Sequence, residues 1–133
     1  MSTELKARLF DFQKDYPEVC EWWEKRGHRY VEKNLLSKIG IMIESDVKYC
    51  VGWLYTGDSA FGKFTWVATN PDSPLMKRKE ALALLSKSAV GMSRDMGLES
   101  IVASFTNKNI SKIFEENGFG HVERNVTNLI ARL

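Results

Sequence analysis

The stretch from Ile101 to Phe119, IVASFTNKNISKIFEENGF, constrains this chain more than any other. It opens as a short apolar strand, passes through an Asn-rich turn, and continues as a two-turn amphipathic helix with Ile110, Ile113 and Phe114 at i, i+3 and i+4. Gly118, after Asn117, stops that helix. A strand that splays toward a helix N-terminus leaves a slot lined by unpaired backbone N–H groups, which suits a phosphate-bearing or pantetheine-like ligand.

The preceding residues say what this unit is joined to. Leu5 to Phe12 alternates well enough for a first strand, and Asp15-Tyr16-Pro17-Glu18 resembles a capping box with Pro in the first turn. Val19, Trp22 and Trp23 then recur at i, i+3 and i+4 before Gly27, which predicts a helix. His28 to Ser37 reads as a second short helix or an ordered loop. Lys38 to Glu44, Lys48 to Thr56 and Phe61 to Thr69 read as strands joined by Ser45-Asp46 and Gly57-Asp58-Ser59, an antiparallel meander. Pro71 and Pro74 end it. A long helix begins between Leu75 and Arg78 and runs to Met96 with Leu82, Leu85, Ala89, Met92 and Met96 in one stripe, and Gly97 stops it. A strand at Ser100 to Ser104, the short helix, and extended pieces at His121 to Arg124 and Thr127 to Ala131 complete the chain. The expected fold class is a mixed-sheet α/β domain, a meander followed by helix, strand, helix and strand, with helices on both faces.

The chain has 133 residues, enough for one core, so residues 1–133 are expected to form a single domain. Nineteen basic against seventeen acidic residues leave a net charge of +2, and the longest like-charge run is Lys77-Arg78-Lys79, so no nucleic-acid partner is expected. Cys20 and Cys50 lack metal-ligand spacing and read as buried free thiols of a reducing compartment, and no metal site is expected. There is no signal-like apolar run and no membrane-length one. The expectation is a cytoplasmic protein without a membrane partner, for which a homodimer is possible.

The residues from Val51 to about Phe119 resemble the GCN5-related N-acetyltransferases (GNAT). In that family an Asn after the fifth strand precedes a short helix ending in Tyr-x-x-x-Gly-Phe; here Asn107 holds the Asn place, Gly118-Phe119 the ending, and Phe114 stands where the family has Tyr. Gly52 sits where the family often has Gly in its third strand. The resemblance implies a splayed pair of parallel strands and binding of acetyl-CoA (coenzyme A) as cosubstrate. The backbone of Val67, Ala68 and Thr69 would meet the pantetheine arm, and Lys77, Arg78, Lys79 and Ala81 would stand at the pyrophosphate. Asn107 and Phe114 would border the cofactor. The family's pyrophosphate loop, Arg or Gln-x-x-Gly-x-Gly or Ala, is glycine-free here in both possible registers, Met76 to Ala81 and Arg78 to Ala83. The short length, Trp-Trp pair and degraded loop also resemble small acetyltransferase-like proteins of tailed phages, which would place the protein in a host cytoplasm.

The resemblance implies acetyl transfer to an amine acceptor by direct attack, with a degenerate binding or structural module as the alternative. Phenylalanine has no proton to give a leaving thiolate, so Phe114 departs from the family's acid, and a core role for it carries equal weight. The base candidates are Glu44, Asp58, His28 and His121, and none has a spacing that singles it out from surface or capping roles. Lys77 to Lys79 also fits a solvated helix start, and Asn107 a helix cap. Trp22 and Trp23 cannot share one helix face, so one is expected in the core and the other at a rim.

Overall fold

The computed structural model describes residues 4–133, so the first three residues of the expected domain lie outside it. Its elements are β1 (Lys6–Leu9), α1 (Phe12–Lys25), a 3-10 turn (Lys33–Leu35), β2 (Ile39–Glu44), β3 (Lys48–Thr56), β4 (Phe61–Thr69), α2 (Leu75–Asp95), β5 (Ser100–Ala103) and α3 (Lys108–Glu116). One sheet has the order β1-β2-β3-β4-β5. The first four strands pair antiparallel, and β5 joins β4 in parallel, with Phe61 opposite Ser100 and Phe64 opposite Ala103. This is the mixed sheet expected from the sequence, with the parallel pair around Phe64 and Ile101.

Strand alternation sends side chains into two cores. Met42, Val51 and Trp53 pack under Val19, Trp22 and Trp23 of α1. Ile41, Ile43, Cys50, Leu54 and Phe64 face the other way, under Leu82, Leu85 and Ala89 of α2 and Phe114 of α3. Each of α1 and α2 therefore covers one sheet face with one apolar side, as their periodicity requires.

Three local expectations are corrected and one open alternative is decided. First, β1 is shorter than Leu5 to Phe12, because the cap of α1 is Asp11, whose carboxylate accepts from the Gln13 and Lys14 N–H groups at 2.9 and 3.2 Å. Asp15, the expected start, is instead drawn inside. It is fully buried, with Arg8 donating at 2.7 and 2.9 Å and Lys48 paired at 2.8 Å. Second, both tryptophans are buried, Trp22 at 3% and Trp23 at 7% exposure, because the arc covered by the sheet is wide enough for positions 100° apart. Third, of the two readings of His28 to Ser37 the ordered loop holds, with one 3-10 turn. Fourth, the extended pieces at His121 to Arg124 and Thr127 to Ala131 form neither helix nor strand, so β5 stays an edge among the described residues.

Candidate functional site

The parallel ladder stops at Phe64 and Ala103, while β4 runs on to Thr69. From Thr65 onward β4 thus has no neighbour on its β5 side among the described residues. Within that free half, Thr65 pairs with Trp53 and Ala68 with Val51, so Trp66 and Val67 together oppose the single Gly52. This is a β-bulge, and its extra residue resets the alternation. Phe64 points into the α2 core, and Ala68, four residues on, points into the α1 core.

Trp66 makes the bulge with φ of 59° and keeps 45% of its surface exposed. A bulky residue in the left-handed region costs about 1–3 kcal/mol, and such strain concentrates where backbone groups must point at something other than a ladder. Beside it, the Tyr55 hydroxyl donates to the Leu35 carbonyl at 2.6 Å. Burial raises that phenol above its ordinary value against hydrogen bonds involving Ser37 and the Trp66 side chain. Tyr55 thereby ties the loop after α1 to the bulge.

β4 leads into α2 through Asn70 to Pro74. Asn70 organises this connection: its N–H donates to Tyr49, its side-chain amide to Lys48, and its Oδ1 accepts from Asp72 N–H at 2.9 Å. Pro74 is the cap residue of α2 and supplies no side-chain acceptor, and the first turn contains no acid. The Pro74 carbonyl accepts from Arg78 N–H at 2.9 Å, which leaves the N–H groups of Leu75, Met76 and Lys77 as the helix's open donors. Both six-residue registers of the expected glycine loop lie inside α2, so the connection itself is Asn-Pro-Asp-Ser-Pro.

Two arginines converge at this end of β4. Arg78 Nη1 donates to the Asn70 carbonyl at 3.0 Å and Arg26 Nε to the Thr69 carbonyl at 3.3 Å. Burial lowers the Arg26 guanidinium from its ordinary value, and the like charge of Arg78 lowers it further. Sequence reasoning missed Arg26; its only signal was a cation just past the last turn of α1. Lys25 beside it pairs with Asp72, which fixes α1 against the same connection.

The remaining expected residues fall as follows. Val67 is half-buried on the α2 side, and Ala68 and Thr69 are buried, so what they offer a ligand is backbone. Lys77 pairs with Glu80 at 3.5 Å, Lys79 is exposed, and Ala81 is fully buried in the core under α2. Asn107 caps α3, accepting from Asn109 and Ile110 N–H at 2.9 and 3.2 Å. Phe114 is 1% exposed within an aromatic cluster, its ring centroid 4.7 Å from Phe105, 5.4 Å from Phe119 and 6.2 Å from Phe64. Glu44 stands at the same sheet end as Thr69 and accepts from Arg8 at 2.8 Å. Asp58 lies in the β3–β4 turn at the opposite end. His28 is exposed just past Arg26, and His121 is exposed in the C-terminal segment, 3.8 Å from Glu123. Among the described residues no cluster of three His, Cys, Asp or Glu is arranged to hold a metal, and no helix is long and apolar enough to cross a membrane.

No protein-family model and no curated protein matches the sequence. Solved structures do match in shape. A probable acetyltransferase superposes with a TM-score of 0.64 at 14% identity, over 98% of this chain and 97% of its own. A GNAT-family acetyltransferase of Streptococcus pneumoniae gives 0.62 at 11% identity, over 98% and 97%. N-acetylglutamate synthase of Neisseria gonorrhoeae, solved with coenzyme A and L-arginine, gives 0.62 at 20% identity over 88% of this chain and 27% of its own. This chain has the fold of the GCN5-related N-acetyltransferases.

Proposed function

We propose that this protein binds acetyl-coenzyme A between β4 and α2 and transfers the acetyl group to an amine by direct attack. The observation that carries this reading is the free, bulged half of β4 running straight into the uncapped start of α2. One supplies backbone groups to an extended amide-bearing arm; the other supplies N–H groups, a helix dipole and two arginines to phosphates.

The residues present fit that cosubstrate on two counts. Pro71 and Pro74 remove donors from the connection itself, but three helix N–H groups stay open, and Arg26 and Arg78 hold positive charge beside them in spite of their mutual repulsion. The bound cosubstrate supplies the acetyl group as a thioester, whose thiolate leaves readily. The chain's part is to fix the arm along Trp66 to Thr69 and to admit a neutral amine. The amine nitrogen forms the new bond to the acetyl carbon as the carbon–sulfur bond breaks. Of the candidate bases, Glu44 is engaged by Arg8, Asp58 is at the far end of the sheet and His121 lies beside the C-terminal end of α2, so we retain His28 as the group that takes the amine's proton.

A specific observation favours a second reading, a non-catalytic module that keeps the fold. Phe114 is enclosed by Phe64, Phe105 and Phe119, so the place of the family's acid is filled by an apolar cluster. Thermal shift with acetyl-coenzyme A, free coenzyme A and adenosine bisphosphate, followed by a thiol-release assay with a polyamine and a peptide amine, separates the two. Ligand at 100 times its dissociation constant stabilises by about 2.7 kcal/mol. Binding with thiol release supports transfer, binding without it supports the module, and no binding contradicts the cosubstrate slot and leaves a module that does not use it.

A further inference from the structure

The proposed function leaves one concavity unused, at the other end of α2 from the slot. It is bounded by the last turns of α2, the start of β5 and the residues after α3, and its volume is about 260 Å³. Pockets for drug-sized molecules run from about 300 Å³ upward, so this one suits a smaller body. Its floor is apolar: Val90, Leu98, Ile101 and Phe119 line it, each half-buried.

One wall is backbone, held in place from two sides. Ser86 Oγ donates to the Asn117 carbonyl at 2.8 Å and Phe119 N–H to the Phe114 carbonyl at 3.0 Å, which ties the turn after α3 to both helices. Between these ties Gly118 has φ of 121°, and a Cβ there would stand 3.0 Å from Val90 Cγ2. A side chain at 118 would crowd the floor, and glycine keeps it clear.

The carbonyls at the end of α2 are already taken. Those of Met92, Ser93 and Arg94 accept from the Met96, Leu98 and Gly97 N–H groups at 3.0, 2.9 and 3.0 Å. Polar recognition in the cleft therefore falls to side chains, and two of opposite charge line it, Arg94 in the last turn of α2 and Glu99 just before β5. Both are exposed, and among the described residues neither side chain makes an ion pair or a hydrogen bond, with the other or with anything else. A single unpaired charge on a surface is ordinary. A cation and an anion that border one small cleft without pairing leave room for a ligand that brings the opposite sign to each.

We propose that this cleft binds a zwitterionic α-amino acid with an apolar side chain, its carboxylate on Arg94, its ammonium on Glu99 and its side chain on the floor of Val90, Leu98, Ile101 and Phe119. The inference does not depend on acetyl transfer. The probe is L-leucine, titrated into the isotope-labelled full chain and followed through backbone amide shifts. Saturable changes below about 10 mM are expected at Val90 and Arg94 and at residues 98–101 and 118–120. L-Leucinamide lacks the carboxylate, N-acetyl-L-leucine the ammonium, and glycine the apolar body, and each is expected to bind at least about tenfold more weakly. Arg94→Gln should abolish the preference for leucine over leucinamide, and Glu99→Gln the preference over N-acetyl-leucine. Both positions are exposed, and the rest of the same spectrum reports that the fold is kept. No saturable change in the cleft, equal binding of all four compounds, or preferences that survive the substitutions would overturn the proposal.

Discussion

The ring of Phe64 occupies the space above Gly52 on the neighbouring strand: a Cβ at position 52 would stand 2.4 Å from Phe64 Cζ. Gly52 is also the residue that faces the β4 bulge, so one glycine admits both the bulge and the ring that anchors it. Phe64 in turn stacks on Phe114 with planes 28° apart, and cannot withdraw without disturbing α3.

Gly52→Ala is therefore expected to destabilise by about 1–3 kcal/mol, the usual cost of overpacking a close-packed core. Chemical denaturation measures this, and Phe64→Leu in the same chain should recover part of the loss. A Gly52→Ala protein as stable as wild type would mean that Phe64 is not held in place.

Asp15 predicts the acid limb of stability. Burial alone would raise its carboxyl, but hydrogen bonds from Arg8 and Lys48 and from the Asp11 N–H outweigh it and hold the carboxyl well below the usual carboxylate range. A depressed folded-state value means that the stabilisation is fully present above the unfolded value, about 3.9, and is lost as pH falls through the folded one. Urea midpoints should thus drop below about pH 4 in wild type. Asp15→Asn leaves two cations without their buried partner, and a loss of about 3–5 kcal/mol at neutral pH is expected, with a flatter acid limb. An unchanged acid limb would show that Asp15 does not govern it.

These two sites also mark where the sequence was legible. The meander and the long helix with its stop at Gly97 were readable because short polar turns and apolar periods are local properties, the unit around Asn107 because its cap lies within three residues, and the parallel pair only through the family resemblance. The start of α1 was not readable. Asp11 and Asp15 are equally good caps locally, and only Arg8 on β1 and Lys48 on β3 draw Asp15 inward. The tryptophan pair was misread for the same reason, since the width of the buried arc is set by the sheet. Arg26 became part of the site only through the docking of α1 against Thr69, which no spacing in the sequence encodes.

For the anion end of the site, Arg26→Ala with Arg78→Ala is expected to weaken coenzyme A binding at least tenfold, about 1.4 kcal/mol, and to reduce its salt dependence. Charge reversal at Arg78 and Lys79 should do at least as much. Titration calorimetry at two salt concentrations checks both. Equal affinity in the Arg26/Arg78 variant would reduce the pair to a structural tie on β4.

Phe114→Tyr tests whether the place of the missing acid opens onto the slot. With the ring 1% exposed among aromatic neighbours, the added hydroxyl is expected to lie unpaired and to cost about 1–3 kcal/mol in a thermal or urea melt. A variant as stable as wild type would show that the oxygen reaches a partner or solvent. In that case thiol release should rise, general-acid help being worth about 10²–10⁴ in rate.

The central claim is that the free half of β4 and the start of α2 form one ligand slot. Backbone amide chemical shifts of the isotope-labelled protein, followed while coenzyme A is added, test it most directly. The account predicts the largest changes at Trp66 to Thr69 and at Leu75 to Lys77, with smaller ones at Asn107 and Asn109. Changes confined to the cleft between the end of α2 and Gly118 to His121, which has a volume of about 260 Å³, or no change at saturating ligand, would contradict it.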